Sequence, residues 1–275
     1  MPGMSLLILF GLVLAFAVGM FGHPWWVERR RERIRRQVFP KAWRTILRRR
    51  VPHVSRLPAD LQLQLKQHIQ VFIAEKAFIG CRGLVVTDEM RVTVAAQACL
   101  LLLSRKPTYF PTLRQVLLYP GAFMVDRIQT DHAGLTETQR QVLLGESWVQ
   151  GQVILSWQSA LEGAAVADDG HNVVIHEFAH QLDQEKGHAN GAPPISGRAN
   201  RERWKQVMSE AFQTLQRQID HGEPTALDPY GATNPAEFFA VASEVFFERP
   251  AALAEAHPAV FAELSRFYGV NPLSW

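Results

Sequence analysis

Residues 4–22 (MSLLILFGLVLAFAVGMFG) form one apolar run without a charged side chain. At about 1.5 Å per helical residue, such a run nearly matches a hydrocarbon core of about 30 Å. The pattern predicts a transmembrane helix. His23-Pro24-Trp25-Trp26 follows, which suits an aromatic belt at the membrane interface. Then comes a block rich in arginine, Glu28 to Arg36. No basic side chain precedes the apolar run, so the positive-inside rule puts everything after it on the cytoplasmic side. Ala15-Phe16-Ala17 resembles a signal-peptide cleavage site, but the basic n-region is missing and cleavage would export the arginines. The expectation is an uncleaved single-pass anchor.

Beyond it the pattern changes to short periodic segments. Residues 37–56, with Pro40 and Pro52, read as a basic connector. The chain thus divides into an anchor (1–22), a basic juxtamembrane connector (23–56) and one domain (57–275). Leu61, Leu65, Ile69, Phe72 and Ile73 make a helical stripe that starts near Ala59, with Gly80 as its stop. Thr87 can cap the next helix, whose first turn holds Asp88 and Glu89. That helix runs to about Leu103 and is apolar on all sides, so it is expected to be buried behind the helix at 172–183. Strand signals come next: Val116 to Tyr119, Val142 to Gly145 and Gly151 to Ser156, bounded by Gly and Pro. Further helices are expected at 172–183, 201–220, 235–248 and 250–268, with a polar Gly/Pro-rich loop at 184–200. The sum is an α+β protein, mainly helical, with a small sheet beside the helix at 172–183. The edge of that sheet could take up an extended peptide by strand addition.

Charge divides along the chain. Residues 1–50 hold eleven of the 29 Lys/Arg and two of the 26 Asp/Glu; the rest holds eighteen and twenty-four. The net +3 therefore hides an acidic domain, which offers no electrostatic footprint for nucleic acid. The arginines after the apolar run serve topology and contact with anionic lipid. Two cysteines, Cys81 and Cys99, lack C-x-x-C spacing and read as ordinary thiols of a reducing compartment.

The chemistry lies in His176-Glu177-Phe178-Ala179-His180, an H-E-x-x-H motif. Side chains at i and i+4 share a helix face, so His176 and His180 can hold one Zn²⁺ from the same side. Glu177 then sits beside the open coordination position, as general base on a metal-activated water. The flanks Val173, Val174, Ile175, Phe178, Ala179 and Leu182 are apolar. Two imidazoles and a carboxylate there are costly unless paired or metal-bound, which argues against a solvated helix with incidental histidines. A catalytic zinc needs a third protein ligand. The longer H-E-x-x-H-x-x-G-x-x-H pattern fails, because Asp183 and Lys186 stand where Gly and His are required. His188 reads as a loop residue. Glu237 ranks first: it opens an apolar helix, although Asn234 and Pro235 also make it a capping-box position. Glu244, seven residues on, ranks second, as a ligand or as a carboxylate hydrogen-bonded to a ligand imidazole. Asp228, in a turn-like Leu-Asp-Pro-Tyr-Gly, ranks third.

Four blocks in order, TDEMRVTVAAQACLLL, VLLYPGAF, HEFAHQLD and DPYGATNPAEFFAVASEVFF, resemble the MtfA (Mlc titration factor A) family of bacterial zinc metallopeptidases. The resemblance covers residues 57–275. It implies a zincin-like core of the gluzincin kind, related to the catalytic domain of anthrax lethal factor. It implies His176, His180 and Glu237 as zinc ligands and Glu177 as the catalytic carboxylate. Such sites also carry a Tyr seven residues before the ligand Glu; Tyr230 stands there and would steady the oxyanion. The family implies peptidase activity on small substrates, aminopeptidase action among its forms, and binding of the glucose repressor Mlc. Its best-known members are soluble and cytosolic, and residues 1–56 depart from that. The expectation is a zinc peptidase held at the bacterial inner membrane with its domain in the cytoplasm. Its partners would be a peptide or protein substrate and a transcriptional repressor. The alternative is a binding module that sequesters such a repressor, with peptidase activity secondary.

Overall fold

The computed structural model describes residues 24–275, apart from 106, 131–135, 144 and 149–150. The apolar run at 4–22, expected to span a membrane, lies outside the described residues. Among those described, no helix is long and apolar enough to cross a membrane. The chain forms two compact units, 1–39 and 40–275. In the first, α1 is described over residues 24–35 and carries Glu32–Arg35 and Glu32–Arg36 pairs at 2.9 Å, one turn apart.

The second unit begins earlier than the sequence pattern suggests. Residues 41–56, read as connector, hold α2 (Lys41–Arg50) and a 3₁₀ turn (Pro52–Arg56). Leu47, Val51, Val54 and Leu57 are buried. The last-turn arginines of α2 meet the acidic first turn of α4 (Asp88–Leu100): Arg49 lies 3.0 Å from Glu89, Arg50 also pairs with Glu89, and Trp43 donates to Asp88 at 3.1 Å. Basic helix C-termini and acidic helix N-termini complement each other's dipoles. A basic run thus serves here as a docked element.

α3 (Ala59–Glu75) ends before the predicted stop at Gly80. Lys76 turns its ammonium inward, to Phe110 O at 2.8 Å and Leu113 O at 2.7 Å. Residues Ala77–Gly80 then form strand β1, in parallel register with β2 (Gln115–Tyr119). The partner lies far along the chain, so helical periodicity alone could not reveal the switch. Thr87 caps α4 as expected, through Met90 N, and α4 is buried and packs against α6 (Val173–Asp183).

The main sheet has the order β1-β2-β6-β5. β1, β2 and β6 (Gln152–Ser156) are parallel, with Val116 opposite Val153 and Leu118 opposite Leu155. β5 (Gly145–Trp148) closes one edge and runs antiparallel to β6. Between β2 and β5 the chain makes a separate hairpin of β3 (Phe123–Thr130) and β4 (Thr136–Leu143). The strand expected at Val142 to Gly145 therefore straddles the end of β4 and the start of β5. After β6 come α5 (Trp157–Ala165), α6, α7 (Arg198–Asp220) and α8 (Pro235–Glu248). The expected final helix at 250–268 is two, α9 (Pro250–Ala256) and α10 (Pro258–Tyr268). Pro258 forces His257 out of the α region (φ −135°, ψ 64°) and ends α9 there.

Two aromatic clusters fix α6 and α8. Phe178, inside the H-E-x-x-H motif, meets Phe110 at 4.9 Å and Phe72 of α3 at 5.6 Å between ring centroids. Phe239 of α8 meets Trp204 of α7 and Phe267 of α10 at 5.8 and 5.9 Å. Edge-to-face pairs of this kind add to area burial. The two helices pack side by side, each anchored on its far side.

Candidate metal centre

α6 starts where Asn172 leaves helical dihedrals (φ −142°, ψ 98°) and its side chain accepts from Ile175 N at 3.0 Å. Val174, Ile175, Phe178, Ala179 and Leu182 face the interior. That orientation leaves His176 and His180 on the opposite face, ring centroids 4.9 Å apart.

Glu237 comes from α8. Asn234 caps this helix by accepting from Ala236 N and Glu237 N, at 2.9 and 3.1 Å. Because the backbone of Glu237 is satisfied by Asn234, its side chain need not reach back as a capping box would. It turns to α6 instead: Oε2 lies 3.0 Å from His176 Nε2 and 3.2 Å from His180 Nε2. The three donor atoms lie within 4.8 Å of one another. Two imidazole nitrogens and a carboxylate oxygen are the donor set of a catalytic zinc site, so the residues present fit such an ion. Among the protein groups alone, burial pushes the Glu237 carboxyl up, yet the hydrogen bonds from both imidazoles outweigh it and hold it well below its ordinary range. Burial opposes a proton on His176, but Glu237 and Glu244 raise its pKa well above the ordinary value.

Glu244 accounts for the other nitrogen of His176: Oε1 lies 2.8 Å from Nδ1. Its second oxygen accepts from Asn172 N at 2.5 Å. One turn further on α8, Glu248 accepts from Asn172 Nδ2 at 2.9 Å and Gly170 N at 3.2 Å. Two carboxylates of α8 thus hold the residue that starts α6. Burial pushes the Glu248 carboxyl up to about 8; the Asn172 and Gly170 donors pull it down, and Asp169 and Glu244 push it up again.

Glu177 is buried, and burial raises its carboxyl to about 7, against the pull of both histidines. It lies against Gly145 at the head of β5: a Cβ there would stand 2.6 Å from Glu177 Oε1 and 2.7 Å from Val173 Cγ2. β5 is also tied to α6 through Ser147, whose hydroxyl accepts from Gln181 Nε2 at 2.6 Å. Tyr230 stands in a 3₁₀ turn (Pro229–Ala232) with its ring 6.0 Å from that of His176. Asp228 accepts from Tyr230 N at 2.7 Å, and so serves the turn that presents Tyr230.

A cleft of about 510 Å³ opens over these groups, bordered by Glu146 and Ser147 of β5 and by Asn190. A second hollow of about 540 Å³ shares Gly145, His176, Glu177 and Tyr230. The groove therefore extends to both sides of Glu177. Of the residues singled out from sequence, His176, His180, Glu237, Glu177, Tyr230 and Glu244 converge, with Glu244 on the far side of His176. Asp228 and His188 stay outside the donor cluster. The sequence reading missed Glu248 and Gly145. Glu248 had a signal, its four-residue spacing from Glu244 on one helix face; Gly145 had none.

Comparison with known proteins follows the same lines. A family model described as glucose-regulated metallo-peptidase M90 matches residues 25–269. The uncharacterized protein slr2042 of Synechocystis sp. is 38% identical over 267 residues, 97% of each chain. Mlc titration factor A of Yersinia pestis is 35% identical over 227 residues, 82% of this chain and 83% of that one, and the protein of the same name from Yersinia pseudotuberculosis matches equally well.

Proposed function

This chain belongs to the glucose-regulated metallo-peptidase M90 family, and from that premise we propose that it is a zinc-dependent peptidase whose metal is held by His176, His180 and Glu237. The observation that carries the reading is the convergence of these three donors beside a buried carboxylate, Glu177, in an open groove. Zinc bound there would supply Lewis acidity, polarising a carbonyl and lowering the pKa of a water toward about 7. Glu177 takes the proton of the attacking water and returns it to the leaving amine. The phenol of Tyr230 donates to the developing oxyanion. Glu244, on Nδ1 of His176, fixes the tautomer and ring orientation of that ligand. Among the described residues β5 is the edge of the sheet at the groove, and an extended peptide adds to it as a further strand. Peptides with free and with acetylated N-termini distinguish aminopeptidase from internal cleavage.

Glu177→Gln is the direct test. The expected outcome is zinc at wild-type stoichiometry and no cleavage of a peptide library. Cleavage at the wild-type rate by the metal-loaded variant overturns the assigned role.

The chain is further proposed to be tethered to the bacterial inner membrane by residues 4–22. The support is the run itself, nineteen residues without a charged side chain, followed by an arginine-rich block. A second reading, capture of a transcriptional repressor, takes its support from the relatives called Mlc titration factor A. If the biological effect persists in Glu177→Gln, capture is the function and cleavage is secondary.

A further inference from the structure

Away from the metal centre, a hollow of about 390 Å³ lies between the start of α7, the end of α10 and the turn after α4. Arg105, Arg203 and Arg266 line it, with Trp204 and Phe267 as apolar walls. Glu263 is the one carboxylate in the lining. Its Oε1 takes both Arg203 Nε at 2.6 Å and Arg266 Nη1 at 2.5 Å, so two cations share one oxygen.

Arg105 is the third cation. Its guanidinium lies over the Phe267 ring, 4.6 Å from the centroid. Its Nη1 is buried with no hydrogen-bond partner among the described residues. Burial lowers its pKa, while Tyr268 and Glu185 act on it through space and raise it. Glu185 itself is engaged, accepting from Thr108 at 2.6 Å. A buried guanidinium nitrogen without a partner is costly, and the cost is relieved by an anion. α7 begins at the same hollow, with Gly197 at its cap and no side-chain acceptor for its first N–H groups. A helix start of that kind adds positive potential.

Three guanidiniums against one carboxylate leave a surplus of two positive charges. A phosphomonoester carries about −1.5 to −2 near pH 7 and three acceptor oxygens, and guanidinium forks match that geometry. We propose that this hollow is a binding site for a phosphomonoester dianion, carried by a small molecule or by a lipid headgroup. The volume exceeds that of phosphate alone, and Trp204 and Phe267 would flank the esterified group.

The test uses the full chain in detergent, after chelation so that phosphate has no metal to bind. Glycerol 3-phosphate is titrated by calorimetry at low salt, in parallel with sedimentation on phosphatidic acid and phosphatidylcholine vesicles. Saturable binding of glycerol 3-phosphate, weakened about tenfold or more in Arg266→Gln and in Arg105→Gln, is the expected result, since a charge-assisted hydrogen bond contributes about 1.5–3 kcal/mol. Arg266 is mostly exposed, so its variant keeps the fold even if Arg105→Gln does not. Binding confined to phosphatidic acid vesicles, and lost in both variants, assigns the lipid headgroup. Absence of saturable binding to either probe, or binding by Arg266→Gln equal to wild type, overturns the site. Vesicle binding that both variants retain, without saturable binding of glycerol 3-phosphate, belongs to the N-terminal arginines and equally overturns it.

Discussion

Glu244 and Glu248 stand one turn apart on α8, and both reach the residue that starts α6. Their roles separate by experiment. Glu244 touches His176 Nδ1, so Glu244→Ala should weaken zinc affinity about 10–100-fold, the usual effect of removing a ligand's hydrogen-bond partner. A metal-competition titration measures it. Glu248 touches no donor of the site and acts on stability. Its folded pKa of about 8 lies above the ordinary 4.5. A raised carboxyl stabilises the fold below its unfolded pKa, and that contribution is lost as pH climbs through the folded value. Thermal midpoints should therefore fall between pH 4.5 and about 8. Glu248→Gln should flatten this decline while lowering stability at acid pH, because an amide turns an NH₂ toward one of two converging donors. An unchanged slope in the variant would remove Glu248 from the account.

At the scale of elements, Asn172 and Gly145 join pieces that carry different parts of the site. Asn172 caps α6, and its amide also reaches Gly163 O and Glu248. Asn172→Ala loses a cap worth about 1 kcal/mol and leaves a buried carboxylate short of a donor, at about 1–3 kcal/mol more. Denaturant titration should show a loss within that combined range. Gly145 sets the distance from β5 to Glu177. Gly145→Ala places a methyl group within contact of Glu177 Oε1 and Cγ. Catalysis should drop at least about tenfold with zinc retained, since the carboxylate is displaced while the ligands are not. How far these elements could be read in advance depends on the range of the interaction that makes them. The caps at Thr87, Asn172 and Asn234 bond within three residues, and the helices they start were legible at once. β1 pairs with a strand beyond α4, and β5 is recognisable only as the edge next to β6, so neither showed in local periodicity. Residues 41–50 read as connector because five of the ten are basic, yet Leu47 among them is buried in the fold.

For the whole molecule, the boundary near Pro40 gives the next test. The unit 40–275 contains α2, the sheet and the metal-centre residues. Expressed alone, it should be monodisperse without detergent, with the full chain's peptidase activity. The full chain should fractionate with membranes through residues 4–22. Recovery of the full chain in the soluble fraction would remove the tether and leave the peptidase reading intact. The chain beyond residue 50 carries a net negative charge, and the arginines of residues 28–36 a local positive one.

The sequence by itself determined the helix that bears His176, Glu177 and His180, because a four-residue spacing on a helix is a local geometric fact. It also determined the segregation of charge and the apolar run at the start. It ranked three carboxylates, Glu237, Glu244 and Asp228, as third donor in that order. Their different places in the site come from the tertiary structure. Glu237 meets both imidazoles, Glu244 meets the far nitrogen of His176, and Asp228 holds the turn of Tyr230. The reason is physical: a carboxylate's role depends on which helix face it meets across some sixty residues of chain, and that meeting is set by how the Phe178 and Phe239 clusters seat α6 beside α8.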